Sequence, residues 1–221
     1  MAANLARIEK ALTDKHVKLI AVTKQASAPQ MEEAFSLGIT EFGENRIQDA
    51  LKKRETLSPS LVQGANWHFI GHLQTNKVRQ AVGNFSLIHS VDSLKLAREI
   101  SRVASARNLT QAILLQVKVA EDPDKTGFSP QELFDNFKTI MDLPSLEIKG
   151  LMTITPLTDD LEVQKQCFIG LRILKEKLEA TYSVHLEELS MGMSDDWPEA
   201  VECGATMIRV GRAIFNDKTS F

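Results

Sequence analysis

The sequence predicts an α/β fold, a single (β/α)₈ barrel over residues 1–221 with an extra helix at its N-terminus. Three observations carry this expectation. Eight short apolar runs are each followed by a helical stretch, and strict strand-then-helix alternation implies parallel strands joined by helical crossovers. Eight such units in 221 residues favour a closed barrel over an open doubly wound sheet. The phosphate loops of open sheets, GxGxxG and GxxxxGK[ST], are absent, and no Pro-, Gly- or Ser-rich linker divides the chain.

In order along the chain, MAANLARIEKAL reads as an amphipathic helix and VKLIAV (17–22) as the first strand. PQMEEAFSLG follows, with Pro29 near a helix start and Gly38 at its stop. ITEF (39–42) is the second strand, and ENRIQDALKKRETL its helix. WHFI (67–70) precedes a helix through QTNKVRQAVG. LIHSV (87–91) leads into DSLKLAREISRVASARN, where Asp92 or Ser93 can cap. AILLQVKV (112–119) is the fifth strand and SPQELFDNFKTIMDL its helix; LEIKGLMTI (146–154) precedes a long helix ending near Thr181. HLEEL (185–189) is followed by SDDWPEAVECG, and ATMIRV (205–210) by a last short helical turn.

Composition sets bounds on function. With 43% hydrophobic residues, 25% charged residues and a net charge of -3, nothing electrostatic points to nucleic acid or an anionic membrane. The basic residues are scattered among acids, as on a solvated surface. Cys167 and Cys203 form neither CxxC nor a zinc spacing and fit buried thiols in a reducing cytosol. The N-terminus lacks the apolar core of a signal peptide, and no apolar run approaches a membrane span. A cytoplasmic location is expected.

In such a barrel, chemistry sits at the carboxyl ends of the strands. Those ends offer Lys24, Asn45, His68, Lys118, Thr153 or Thr155, Ser190 to Ser194, and Arg209 to Arg212. SMGMSDDWPEA and RVGRAIF place glycines Gly192 and Gly211 in the last two loops, each before a helix whose free N–H groups favour an anion. Barrels often hold a phosphate there. Ser194 serves as a helix cap, a phosphate ligand, or both, while Asp195 and Asp196 complicate an anion site unless they point outward. Lys24 shares a strand face with Ile20 and Val22. If that face points inward, its amine emerges partly desolvated at the mouth, able to attack a carbonyl. Lys118, in phase with Leu114 and Gln116, is its rival; Lys149 begins a strand and lies at the wrong end.

Arg209 shares a face with Ala205 and Met207. A buried guanidinium requires an anion or acceptor. A pyridine nitrogen satisfies it, as in pyridoxal phosphate sites, and so does a salt bridge to Glu187 or Glu188. His68 faces the barrel if Trp67 and Phe69 pack on helices. It then lies beside a flat ligand or is simply a hydrogen-bonded core residue. Met191 and Met193 offer apolar contact to a ligand ring or belong to the core. His16, His72, His89 and His185 show no metal-ligand spacing, and there is no G-x-S-x-G elbow.

Taken together, AVTK (21–24), FGENR (42–46), WHFIGHLQTNK (67–77), IHSVD (88–92), KTGF (125–128), GLMTI (150–154), LSMGMSDD (189–196) and IRVGRAIF (208–215) resemble the pyridoxal phosphate homeostasis proteins, the YggS/PROSC/PipY-like family, in the same order. The resemblance runs from the first strand to the C-terminus. It implies a fold type III barrel similar to the N-terminal domain of alanine racemases, binding pyridoxal 5'-phosphate as an internal aldimine on Lys24. It further implies that Arg209 faces the pyridine nitrogen and that Ser194, Gly211 and Arg212 hold the phosphate. Asn45, His68 and Met193 would complete the cofactor-binding set. Lys118 and Arg46 depart from the asparagine and tyrosine common at those positions.

The implied function is cofactor homeostasis without robust catalysis, with pyridoxal-phosphate-dependent apoenzymes as prospective partners. A racemase or decarboxylase of the same barrel type is the alternative, and a class I aldolase is a third reading. Racemases of this type take a second acid/base group, a tyrosine, from an additional β domain and are usually dimers. The single tyrosine, Tyr182, is expected at the amino-end side of the barrel, and the chain ends soon after the eighth strand. A monomer is therefore expected.

Overall fold

A computed structural model describes residues 1–120 and 126–216. Eight strands pair in parallel and in sequence order, and the eighth returns to the first to close the barrel. They are β1 (Lys18–Val22), β2 (Glu41–Glu44), β3 (Asn66–Phe69), β4 (Leu87–Val91), β5 (Gln111–Gln116), β6 (Leu146–Met152), β7 (Glu188–Ser190) and β8 (Met207–Val210). The helices are α1 (Ala2–Leu12), α2 (Ala28–Ser36), α3 (Ile47–Thr56), α4 (Pro59–Gly64), α5 (Val78–Ala81), α6 (Leu94–Ala106), α7 (Pro130–Met141), α8 (Leu161–Tyr182), α9 (Trp197–Glu202) and α10 (Arg212–Phe215). In the KTGF segment Lys125 lies outside the described residues.

Side-chain hydroxyls start several helices where the sequence signals placed them. Ser27 and Gln30 form a reciprocal capping box ahead of α2, and Ser129 and Glu132 do the same for α7. Ser93, not Asp92, caps α6 by accepting from the Leu96 amide. One helix was not expected. The run ENRIQDALKKRETL forms α3, and beyond it Ser58 caps a further helix, α4, by accepting from the Leu61 amide, with Pro59 opening it.

Strand limits shift where tertiary contacts override local pattern. β2 runs two residues later than the apolar ITEF suggests. It contains Gly43, at which a Cβ would meet Ile20 Cγ2 at 2.9 Å inside the barrel, and the fully buried Glu44. β5 ends at Gln116 rather than at Val119 because the next residues pair with Phe128: the Phe128 amide donates to the Gln116 carbonyl, and Lys118 N to Phe128 O. β7 begins only at Glu188 and extends to Ser190.

Two cores result. The larger lies between sheet and helices and includes Phe42, Phe69, Ile113, Leu151, Phe168 and Ile208. The smaller fills the barrel with Ile20, Leu87, Leu114, Met152 and Met207. Side chains one residue apart on a strand fall on opposite sides of the sheet. Thus Ile20 belongs to the inner core and Ala21 to the outer.

Gly150 sits where β6 carries an extra residue: Ile113 pairs with Ile148 but Leu114 with Gly150. Its φ is +158°, and a Cβ would lie 1.9 Å from the Glu188 carbonyl oxygen. Gly150→Ala is expected to push β6 from β7 and cost about 3 kcal/mol, read as a lower urea unfolding midpoint.

Candidate functional site

The carboxyl ends of β1, β2, β3, β6, β7 and β8 surround a cavity of about 330 Å³. Lys24, Asn45, Met193, Ser194, Arg209, Gly211 and Arg212 all line it. Residues from opposite ends of the chain meet because β8 closes on β1, with Ile20 paired to Arg209 and Ala21 to Val210. Val22, Ile70, Gly71, His72, Ile154 and Asp195 complete the lining.

Lys24 stands two residues beyond β1, above Val22 and the inward-facing Ile20. It is exposed, not partly desolvated as expected from its strand phase. The strand stops short of it and the mouth is open there. The backbone on either side is nonetheless clamped. Glu44 Oε1, fully buried, accepts from Thr23 Oγ1 at 2.7 Å and from Lys53 Nζ at 2.8 Å, and Lys53 also donates to the Thr23 carbonyl. This ties the residue before Lys24 to the residue before Asn45. Arg54 adds charge nearby: burial lowers it to about 10, Glu44 opposes that, and its guanidinium lies 4.1 Å over Trp67. Lys118, intermediate in exposure, lies past the end of β5 and is not among the cavity residues.

Arg209 is 3% exposed. Its NH1 donates to Ser190 Oγ at 2.8 Å and its NH2 to the Thr153 carbonyl at 2.9 Å. Glu188 instead takes Lys18 at 2.5 Å, and Glu187 lies 3.6 Å from Lys149, so neither acid is its partner. Burial pulls Arg209 down to about 10, with Asp196 opposing. A guanidinium has five N–H donors. Two are spent on neutral protein oxygens, and the group borders the cavity.

The β7 loop forms the opposite wall. Gly192 has φ +88°, and a Cβ there would come within 2.6 Å of Ala200 Cβ. Ser194 does not cap the following helix; the capping position is Asp196, without a side-chain cap. Ser194 Oγ instead accepts from the Gly211 amide at 3.4 Å, joining the last two loops. Asp196 points inward, accepting from Met193 N at 2.6 Å and from Thr155 Oγ1 at 2.7 Å. Asp195 is exposed and pairs with Arg212. Met191 is buried in the core and Met193 borders the cavity.

His68 does not join the cavity residues. It is 4% exposed inside the barrel, with Nε2 2.6 Å from Glu41 Oε2 and Nδ1 2.9 Å from His89 Nε2. Its side faces inward as expected, but period-two alternation sets the face and says nothing about height along the barrel axis. Gly71 was not singled out by the sequence, although it lies inside WHFIGHLQTNK. A Cβ at Gly71 would fall 2.1 Å from the Asn45 carbonyl oxygen, so glycine there lets the β2 and β3 loops touch.

With the amine, the buried donor-rich guanidinium and the joined loops in one mouth, the fold and site define a barrel of the alanine racemase N-terminal type. The family model described as alanine racemase, N-terminal domain, matches residues 1–219. Alanine racemase of Clostridium difficile has the same fold at 15% identity and a TM-score of 0.80, over 98% of this chain and 56% of its own. Nearer relatives are more specific. The pyridoxal phosphate homeostasis protein of Synechocystis sp. is 44% identical over 202 residues, 91% of this chain and 92% of the relative. That of Aquifex aeolicus is 38% identical over 219 residues, 97% and 95% of the two chains. PipY of Synechococcus elongatus, solved with pyridoxal phosphate bound, has a TM-score of 0.90 at 38% identity, over 97% of this chain and 99% of PipY. The chain belongs to the pyridoxal phosphate homeostasis protein family.

The fully buried His89 makes an acid-side prediction. Burial first, then the neighbouring His68 and Arg209, hold it well below the usual histidine value of 6.5. The unfolded chain therefore binds a proton that the folded chain refuses. His89 thus contributes stability that is whole above 6.5 and lost as pH falls below it. The urea unfolding free energy should fall between about pH 6.5 and 5, by up to about 1.4 kcal/mol per pH unit from this group. His89→Phe should flatten that slope.

Proposed function

We propose that the protein binds pyridoxal 5'-phosphate in the mouth cavity, covalently through Lys24, and serves homeostasis of that cofactor without turning over amino acids. The observation that carries this reading is the convergence of Lys24, Arg209 and the Ser194–Gly211–Arg212 wall on one cavity of about 330 Å³, within the usual size range of small-molecule pockets.

The donor set suits the cofactor. Arg209 lacks a carboxylate on its own guanidinium nitrogens among the described residues, and it suits an acceptor such as the pyridine nitrogen. Ser194, the Gly211 amide and Arg212 stand together on the side proposed for the phosphate, where the anion takes over the donor that Arg212 otherwise gives Asp195. Lys24 is open to condense with the aldehyde, its nitrogen bonding the carbonyl carbon and water leaving. Asn45 and Met193 border the ring space, while His68 acts from below rather than by contact. Bound pyridoxal phosphate supplies an electron sink for amino-acid carbanions.

The protein's own residues do little to use that sink. A donor at the ring nitrogen disfavours its protonation and weakens the sink. Besides Lys24, the acid/base side chains at the mouth have partners, His72 with Asp92 at 3.2 Å and Asp195 with Arg212. Tyr182 ends α8 in the outer helix layer and donates to the Phe134 carbonyl at 3.0 Å. The Schiff base is thus a tether. In this reading the protein is a cytoplasmic monomer that exchanges cofactor with pyridoxal-phosphate-dependent apoenzymes. No described helix is long and apolar enough to cross a membrane.

Borohydride reduction of protein incubated with pyridoxal phosphate should abolish its visible band and leave the label on the peptide carrying Lys24. Protein that stays colourless, or a label on Lys118, contradicts the assignment. In alanine racemisation assays, turnover should stay far below ~10 per second, an ordinary enzyme rate; turnover at that level overturns the non-catalytic reading.

A further inference from the structure

Beneath the mouth, a line of polar side chains crosses a barrel interior otherwise filled by Ile20, Leu87, Leu114, Met152 and Met207. Arg209 NH1 donates to Ser190 Oγ at 2.8 Å, and Ser190 Oγ lies 2.9 Å from His89 Nδ1. His89 Nε2 lies 2.9 Å from His68 Nδ1, and His68 Nε2 2.6 Å from Glu41 Oε2. Ser190, His89, His68 and Arg209 are buried, and the Glu41 side chain is 22% exposed at the start of β2. The line thus joins residues of β8, β7, β4, β3 and β2.

The chemistry of its two ends gives the line a direction. An arginine only donates, and an ionised carboxylate only accepts. With both imidazoles neutral, one arrangement satisfies every link. Arg209 donates to Ser190, the Ser190 hydroxyl to His89 Nδ1, His89 Nε2–H to His68 Nδ1, and His68 Nε2–H to Glu41. Reversing the middle links needs an additional proton on His68 or Glu41 and leaves the Ser190 hydrogen without an acceptor along the line. Two observations oppose that arrangement. Ser190 is fully buried, so a hydroxyl hydrogen left without an acceptor is costly, and Glu41, although burial by itself raises it, is held low on balance by its bonds with His68 and Asn66 and by the neighbouring positive charge.

We propose that Glu41, His68, His89 and Ser190 are positioning residues that act through Arg209, a directed hydrogen-bond chain that fixes the guanidinium as a one-way donor to the pocket. Anything placed against Arg209 is then received as an acceptor, which sets the protonation of a bound ring nitrogen from the far end of the barrel. The consequence for the cofactor rests on the pyridoxal phosphate reading above, but the direction of the chain belongs to the protein alone.

Two measurements test it. In protein with ¹⁵N-labelled imidazoles and no added cofactor, NMR at neutral pH should show His68 and His89 both as neutral Nε2–H tautomers. A proton on His89 Nδ1 overturns the proposal, whatever any variant does. In protein loaded with pyridoxal phosphate, Ser190→Ala and Glu41→Leu should each shift the visible band and weaken cofactor affinity about tenfold, the scale of one lost buried hydrogen bond. Glu41→Gln, whose amide oxygen still accepts from His68, should restore both. Folded Ser190→Ala and Glu41→Leu with unchanged band and affinity would show that the line is only packing and overturn it. If the wild type takes up no pyridoxal phosphate, the cofactor reading fails and the tautomers alone decide the chain.

Discussion

Closing eight strands around one axis leaves an interior wide enough only for side chains. Whatever points inward must therefore pack or hydrogen-bond with what points inward from the other strands. In this protein the interior is partly apolar, with Ile20, Leu87, Leu114, Met152 and Met207, and partly polar, with His68, His89, Ser190 and Arg209. An arginine in such a space must have its donors satisfied, because an unpaired buried charge is far too costly. The Ser190 hydroxyl and the Thr153 carbonyl satisfy part of that need. The guanidinium also borders the cavity above, and so the packing of the barrel interior places a donor at its mouth.

The loops around the mouth depend on the same closure. Lys24 and Gly211 come from opposite ends of the chain and share a wall because β1 pairs with β8. Buried acids hold the loop backbones: Glu44 ties the β1 end to the β2 end and to α3, and Asp196 ties the β7 loop to Thr155 after β6. Both carboxylates look, in the sequence, like ordinary surface charges. Their hydrogen bonds hold the backbones beside Lys24, Asn45 and Ser194 on segments with little regular structure of their own.

This division of labour fits the proposed role, holding a reactive cofactor rather than using it. The amine of Lys24 is exposed, the buried Arg209 can only donate, and the tyrosine is turned into the helix layer. Of the acid/base side chains in the walls of this mouth, His72 pairs with Asp92 and Asp195 with Arg212.

Much of this was legible in the sequence alone. Alternating apolar runs and helical stretches determine parallel strands with helical crossovers, and eight such units in 221 residues favour a closed barrel, as the structure shows. Period-two phase puts Ile20 and Arg209 on the inner face, and strand ends with glycine-bearing loops pick out Lys24, Asn45, Met193, Ser194, Gly211 and Arg212 as cavity residues. Tertiary structure alone decided the height of each inward side chain along the axis, and with it the burial of His68 below the cavity against Glu41 and His89. It also decided where β2, β5 and β7 end, which buried acids clamp the loops, and that Lys24 is open rather than desolvated. The reason is geometric. Local pattern encodes which face of a strand a residue occupies, whereas stagger between strands and partners across the barrel arise only when the sheet closes on itself.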